Sequence, residues 1–348
     1  MKTVLNEFYH KHPSRFPYKR SLRSILKALE WPNSVEQITE YPFEGDPGWT
    51  NELNGVTNDG KNWYITQRNR IWKFPLSFQL GQDIDVDEPP AGVLSNGIPS
   101  KYDYEIDYGY YFYDHLGDLD FYQGLLYVAL EGHSYDMTET FRVLPNPPPK
   151  IAIYDANSLA FVSAATVPGY EADIVSSCAW CAVNPLNDLL YTSDSNPVNN
   201  TLRVYKHYIS PGGELILNFN GYFRLEGAPL EEVSGGVFSK NGHLYLVTSR
   251  AFFHENDAEV ANDGIFGFDM VKGKEILHQV VPYEATIDVG PWTFGKQELE
   301  GITILDLDPG GMAPFINGQI HLIMLDNDFE GDDDIYFKHF RISEKDKI

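Results

Sequence analysis

The sequence predicts an all-β protein that forms a single β-propeller, and three observations support this fold class. Hairpins of short apolar strands recur along the chain every 55 to 65 residues. Turn-forming pairs such as Asp59-Gly60 and Asn241-Gly242 separate the two strands of most hairpins. After residue 32 no run of apolar residues follows the spacing of a helix. Antiparallel strands repeated at this period are typical of propeller blades.

Each repeat begins with an inner strand that starts on a small or polar residue and continues with apolar residues. These inner strands are predicted at residues 54–59, 117–122, 180–185, 235–240 and 300–305. A second strand follows each of them, and third strands are predicted at residues 70–76, 150–156, 201–207, 264–270 and 334–340. Because a blade exposes two apolar faces that only neighbouring blades can cover, the repeats are expected to fold as one domain.

Five blades are predicted, with six as the alternative. A sixth blade would have to lie within residues 77–112, a segment rich in Asp, Pro and Tyr that contains no hairpin of the same form. Residues 34–43 are expected to supply an outer strand that joins the last blade and closes the ring. The chain therefore divides into an N-terminal basic segment, residues 1–33, and a propeller domain, residues 34–348.

The N-terminal segment contains the one helical pattern in the sequence. Leu22, Ile25, Leu26 and Leu29 are spaced as the apolar face of a short amphipathic helix. Residues 1–31 hold seven Lys or Arg and two Asp or Glu, so their basic side chains can pair with an acidic body. A helix that caps the propeller is expected, and a docking or targeting segment is the alternative.

The charge of the chain limits the partners it can bind. The formal net charge is -24, and residues 32–348 carry 19 basic and 48 acidic side chains, a net of -29. Nucleic-acid binding depends on Lys and Arg that neutralise phosphates, so a nucleic-acid partner is not expected. An acidic body favours cations and positively charged ligands instead.

Membrane insertion and a disulfide framework are not expected. No apolar run approaches the ~18 residues of a membrane-spanning helix, and the first 20 residues contain no apolar stretch typical of a signal peptide. We therefore expect a cytoplasmic protein, or a secreted one if a leader was removed. Its two cysteines, Cys178 and Cys181, lie on a predicted strand and are expected to be reduced and buried.

Polar residues recur where the inner strands begin, and this is where a ligand site is predicted. In a propeller these starts surround one mouth of the central channel. His115 and Asp118 are the candidate catalytic residues, and the candidate ligand-binding residues are Asn54, Glu232, Ser234, Glu298 and Glu300. The alternative is a ring of polar residues that only contacts water.

The loops that follow the second strands reach the same face, and one of them has a metal-binding pattern. Residues 326–334, DNDFEGDDD, place oxygen donors at Asp326, Asp328, Glu330 and Asp334, with Gly331 available for a sharp turn. This spacing of carboxylates is suited to Ca²⁺ with its six to eight oxygen ligands. It is similar to the calcium loops of integrin-type propellers. A Ca²⁺ site is predicted, and a solvated acidic loop is the alternative.

The repeat pattern over residues 50–343 resembles the broad group of NHL-type, YncE-like and SMP-30/gluconolactonase-like propellers. In the lactonase branch, the resemblance implies a divalent cation in the channel held by Glu, Asn and Asp side chains. Glu300 within LEGIT, together with Asn54 and Asp118, is similar to that set. The pattern departs from the family at Ala179 and Ser234, where further ligands would be expected.

Three functions are consistent with these features. The first is a propeller that binds a small molecule, sugar or peptide at the channel mouth, together with Ca²⁺. The second is a metal-dependent hydrolase of lactonase or esterase type, in which a channel cation polarises a carbonyl and His115 or Asp118 serves as general base. The third is a scaffold for a partner protein. Since propellers host all three, the fold does not choose among them.

Overall fold

The computed structural model describes the propeller domain with several gaps. The described residues are 34–43, 47–50, 52–99, 104–106, 109–136, 146–169, 177–249, 252–253, 263–281, 286–289, 292–295, 297–308, 310–326 and 334–342. The amphipathic helix predicted within residues 1–33 therefore lies outside the described residues. None of the described segments forms a helix long and apolar enough to span a bilayer.

The first described strand, β1 (Val35–Glu40), belongs to the last blade, and blade one follows it. Blade one consists of β2 (Leu53–Asn58), β3 (Asn62–Gln67), β4 (Arg70–Pro75) and β5 (Leu94–Gly97), in the order β2-β3-β4-β5. The turn from β2 to β3 is set by Asp59, whose Oδ1 accepts hydrogen bonds from the backbone N–H groups of residues 61 and 62. Local hydrogen bonding thus fixes the hairpin predicted at this point.

Blade two is the longest blade. It contains β6 (Tyr104–Ile106), β7 (Gly109–Tyr122), β8 (Leu125–Asp136), β9 (Lys150–Asp155) and β10 (Phe161–Thr166). Its strand order from the outside inward is β10-β9-β8-β7, with β6 added along the far half of β7. The two turn residues between β7 and β8 both have positive φ, as a tight hairpin turn requires, and the second of them is a glycine.

Blade three repeats the four-stranded pattern with a short inner strand. Its strands are β11 (Ala182–Asn184), β12 (Leu189–Thr192), β13 (Thr201–Ile209) and β14 (Leu215–Arg224), in the order β11-β12-β13-β14. A 3₁₀ turn, Val198–Asn200, leads into β13. The inner strand was predicted to begin at residue 180, but the described strand begins at Ala182 and covers only three residues.

Blade four is formed by β15 (Val233–Phe238), β16 (Leu244–Thr248), β18 (Gly264–Asp269) and β19 (Lys274–Val280). Between β16 and β18, the two residues of β17 (Phe252–Phe253) leave the blade. They pair with β21 (Trp292–Gly295) in a separate three-stranded sheet. Blade four therefore keeps the predicted four strands despite this insertion.

Blade five closes the ring. The small sheet contains β20 (Thr286–Val289) and β21 (Trp292–Gly295), and blade five follows with β22 (Gln297–Ile304), β23 (Ile320–Asp326) and β24 (Ile335–Ile342). The N-terminal strand β1 pairs antiparallel with β24 and becomes the outer strand of this blade. The predicted closure by residues 34–43 is confirmed, and so is the five-bladed all-β fold.

Five hydrophobic clusters fill the spaces between adjacent blades. The cluster between blades one and five, for example, packs Trp63 and Trp72 against Ile323 and Phe337. Corresponding clusters lie between blades one and two, two and three, three and four, and four and five. Each blade therefore buries both of its faces on its neighbours, which is the physical reason that the domain cannot be divided.

Candidate functional site

A β-bulge interrupts four of the five inner strands at the same point of the repeat. The pairing register shifts at Asn54 in β2, between Leu116 and Leu119 in β7, at Ser234 in β15 and at Glu300 in β22. A bulge leaves one residue out of the ladder and re-aims the side chains beside it. The polar residues predicted at the channel mouth thus share a structural position.

Glycines beside these bulges let the inner strands approach each other closely. A Cβ on Gly55 would lie 2.5 Å from the Cα of Asp118, and a Cβ on Gly301 would lie 2.5 Å from the Cα of Gly55. A Cβ on Gly117 would overlap the carbonyl group of Ala179. Only glycine permits these contacts. The backbones of blades one, two, three and five therefore meet at this level of the axis.

Asp118 lies at the centre of this contact and joins four blades. Its Oδ1 accepts a hydrogen bond from the Val56 N–H at 3.0 Å, and its Oδ2 accepts one from the Gly236 N–H at 2.8 Å. The Asp118 N–H donates to the Ala179 carbonyl at 2.7 Å. Burial raises the pKa of Asp118 well above its ordinary value, while the backbone N–H donors act in the opposite direction.

The expectation that Asp118 lies in a solvated channel mouth is wrong. Its exposed fraction is 0%, and that of Asn54 is 4%. The bulges and glycines bring the inner strands together, so that these polar side chains sit between backbones rather than in water. Ser234 also takes part in packing, because its hydroxyl donates a hydrogen bond to the carbonyl of Leu299.

The carboxyl groups of Glu298 and Glu300 act on each other beside the axial Asp118. Burial raises the pKa of Glu300 well above its ordinary value, and the nearby carboxylates of Glu298, Asp118 and Glu131 raise it further. Burial and the neighbouring carboxylates therefore both favour the protonated form of Glu300 over its charged form.

Two further glutamates extend this acidic group. Glu131 interacts electrostatically with Glu300, and Glu232 interacts with Glu298. Partial burial is the main cause that raises the pKa of Glu232, and the charges of Glu298 and Asp263 raise it further. We refer to Glu131, Glu232, Glu298 and Glu300 as the mouth acids.

Glu131 also contacts the candidate base His115. The distance between His115 Nδ1 and Glu131 Oε2 is 3.7 Å, and the two side chains are 31% and 20% exposed. The other carboxylate oxygen of Glu131 accepts a hydrogen bond from the Cys178 N–H. The structure thus orients one carboxylate between the backbone of blade three and a partly exposed imidazole.

Glu131 was not identified from the sequence as a site residue. It is the acidic last residue of the apolar motif LLYVALE, which is the signal that the sequence offers for it. In the structure it lies within β8 and is paired with His115 of β7.

Asn54 has an unsatisfied hydrogen-bond donor among the described residues. Within the described part of the chain, its Nδ2 has no hydrogen-bond partner although the residue is buried. A buried donor of this kind costs free energy unless something accepts its hydrogen bond. Asn54 therefore combines a position in a β-bulge with an available donor.

The predicted calcium loop falls largely outside the described residues. Asp328 and Glu330 are not described, Asp326 is the last residue of β23, and Asp334 directly precedes β24. Among the described residues, no group of three or more His, Cys, Asp or Glu side chains is arranged to hold a metal ion. The Ca²⁺ site stays a prediction.

The two cysteines are buried free thiols, as predicted. The Sγ of Cys178 lies 3.2 Å from the Thr192 hydroxyl. Burial raises the pKa of Cys178 to about 12 and that of Cys181 well above its ordinary value. Neither cysteine is therefore an activated nucleophile.

Strand topology and register define this chain as a five-bladed β-propeller. No protein-family model matches the chain, and no curated protein sequence matches it. The resemblance to the NHL-type and SMP-30-like propellers therefore stays a prediction.

Solved structures with similarity to this chain have low identity to it. The WD40 propeller domain of Doa1 is 10% identical, with a TM-score of 0.36, and the match covers 84% of this chain and 80% of that one. A protein of unknown function from Bacteroides thetaiotaomicron VPI-5482 is 12% identical, with a TM-score of 0.34 and coverage of 90% and 74%.

A functionally unknown protein from Desulfotomaculum acetoxidans DSM 771 is also 12% identical, with a TM-score of 0.35. That match covers 79% of this chain and 65% of the other, so this chain spans slightly less than two thirds of its length. None of these similarities bears on what the chain binds.

Proposed function

We propose that this protein is a binding propeller that receives a positively charged group of its ligand at the mouth acids. The feature that carries the proposal is the cluster of acidic side chains in which Glu298, Glu131 and Asp118 all act on the carboxyl group of Glu300. Like charges held this closely repel each other, and retaining a proton lowers that repulsion. A cationic group bound among the same carboxylates would lower this repulsion in place of the proton.

Charge composition supports the same proposal. The chain carries 50 acidic and 26 basic side chains, so its field attracts cations toward any concave acidic surface. The described basic groups near the mouth are engaged in ion pairs. Arg68, for example, contacts Glu52 at 3.1 Å and Asp114 at 3.2 Å. The ligand class that fits is a small molecule or peptide with an amine or guanidinium group.

Proton release provides a direct test. Because burial and nearby carboxylates raise the pKa of Glu300, a cation that binds there should lower this pKa and promote release of a proton. Isothermal titration calorimetry with an arginine-containing tetrapeptide amide, repeated in two buffers of different ionisation enthalpy, measures the number of protons released. Release of a proton on binding supports the proposal, and binding without any proton release contradicts it.

Matched variants locate the binding site. E298Q and E300Q each remove one ionisable carboxyl group while nearly keeping side-chain volume, so each should weaken peptide binding at least tenfold. E214Q is the control, since Glu214 is an exposed residue in the turn between β13 and β14. Equal affinity of all three variants for the peptide would show that the charge binds elsewhere.

Calcium at residues 326–334 remains part of the proposal, as a second cationic ligand at the same rim. Asp326 and Asp334 are held at the ends of adjacent strands β23 and β24, so the loop between them starts and ends on a rigid support. Short acidic loops of this kind supply the oxygen ligands that Ca²⁺ prefers.

A hydrolase is the second candidate, and the His115–Glu131 contact favours it. A carboxylate beside Nδ1 orients an imidazole, as a general base requires. Asp118 is a poor candidate for that role, because both of its oxygens accept backbone hydrogen bonds away from solvent. Hydrolysis of aryl esters or lactones that is lost in H115Q but kept in D118N would support this function.

A further inference from the structure

A pair of buried histidines lies in blade five, and no proposed ligand contact uses it. His321 in β23 and His339 in β24 are directly opposite each other in the strand register. Both have an exposed fraction of 0%. Aromatic rings enclose them, since Trp63 packs 5.3 Å from the His321 ring and Phe337 packs 4.6 Å from the His339 ring.

All four ring nitrogens of the pair are within hydrogen-bonding distance of another group. The two Nδ1 atoms are 2.9 Å apart. His321 Nε2 lies 2.8 Å from the carbonyl oxygen of Leu305, and His339 Nε2 lies 3.0 Å from the carbonyl oxygen of Tyr41. A carbonyl oxygen can only accept, so each Nε2 must carry a proton and donate it.

These contacts require one proton more than two neutral imidazoles hold. A neutral imidazole has one ring proton, and both of these protons are already on the Nε2 atoms. The Nδ1 atoms would then face each other with two lone pairs, which repel at 2.9 Å. A third proton between them converts that repulsion into a charge-assisted hydrogen bond.

We infer that His321 and His339 form a buried proton-binding site. One proton is shared between their Nδ1 atoms and stabilises the closed ring of blades. The carbonyl of Tyr41 belongs to the segment that follows β1, and that of Leu305 to the segment that follows β22. The protonated pair therefore connects the N-terminal closing segment, β24, β23 and the connection after β22 through consecutive hydrogen bonds.

Groups around the pair both raise and lower the pKa values of the two histidines. Burial lowers the pKa of His321 to about 4, while the Leu305 carbonyl and the charge of Asp306 raise it. Burial and the charge of His321 lower the pKa of His339 well below its ordinary value, while the Tyr41 carbonyl raises it. Neither ring can make the shared hydrogen bond alone, so this bond adds to the affinity of the pair for a proton.

Two ion pairs lie on or beside the same strands. Lys338 next to His339 contacts Glu40 of β1 at 3.7 Å. Arg341 of β24 contacts Asp308 at 2.9 Å.

Histidine-selective ¹⁵N NMR of the full chain tests the inference. At pH 7, both Nε2 signals should be those of protonated nitrogens, and both Nδ1 signals should lie between the protonated and unprotonated positions. The two Nδ1 signals should move together in one step as the pH is raised. Two Nδ1 signals at the unprotonated position at pH 7 would overturn the inference, as would an unprotonated Nε2 on either ring.

Glutamine variants separate the shared proton from packing. In H339Q, the Gln amide keeps a donor toward Tyr41 while the partner Nδ1 is removed, so His321 should become a neutral ring that does not titrate. H321Q makes the same test from the other strand if H339Q fails to fold. H278Q in blade four is the matched control and should leave the step unchanged. A step that persists in H339Q or H321Q would overturn the inference.

Discussion

Removing the carboxylate of Asp118 should destabilise the whole propeller, because this group accepts hydrogen bonds from two other blades. In D118A the N–H groups of Val56 and Gly236 are left buried without an acceptor. Each such loss costs about 1–3 kcal/mol, so D118A should lower the free energy of unfolding by about 4 kcal/mol. D118N keeps one acceptor oxygen and should cost about 2 kcal/mol.

Both variants also relieve the cost of burying a carboxylate, which offsets part of each loss. This offset is similar in the two neutral variants, so the difference between D118A and D118N is the sharper quantity, at about 2 kcal/mol. Urea unfolding followed by fluorescence of the buried tryptophans measures it. D83A is the control, since Asp83 is an exposed residue and its replacement should change stability by less than about 0.5 kcal/mol.

One result would refute this reasoning. If D118A and D118N both unfolded within about 0.5 kcal/mol of the wild type, the hydrogen bonds at the axis would not hold the blades together. If such stable variants lost ligand binding or activity, Asp118 would again be a candidate catalytic residue.

Three further predictions concern acidity, calcium and the thiols. Burial raises the pKa of Asp120 from 3.8 to about 7, so between these values the folded state holds a proton that the unfolded state releases. The free energy of unfolding should therefore fall as the pH rises from 4 to 7. D120N should reduce this loss of unfolding free energy by about 4 kcal/mol at most. If urea unfolding of D120N showed the same dependence on pH as the wild type, the raised pKa of Asp120 would be contradicted. Calcium should raise the melting temperature and D328A should abolish that rise, whereas a melting curve insensitive to chelator would exclude the loop site. Cys178 and Cys181 should react with a thiol reagent only on unfolding, and rapid labelling of the native protein would disprove their burial.

The sequence by itself determined the repeating unit of this protein. Local patterns carry that information: alternation of apolar residues marks each strand, and residues such as Asp59 and Gly60 make the turns through contacts within a few positions of the chain. The closing strand could also be predicted, because the last repeat lacks an outer strand of its own and residues 34–43 have a strand pattern.

Only the tertiary structure decided what the polar residues of the inner strands do. Asp118 looked like a solvated residue, yet its partners Val56, Ala179 and Gly236 lie 61 or more residues away and reach it only because bulges and glycines let the strands meet. His321 and His339 likewise give no signal in the sequence until strand register places their rings in contact. Burial and hydrogen bonding between distant segments set the charge and role of such groups, and local sequence does not encode which backbone atoms will face them.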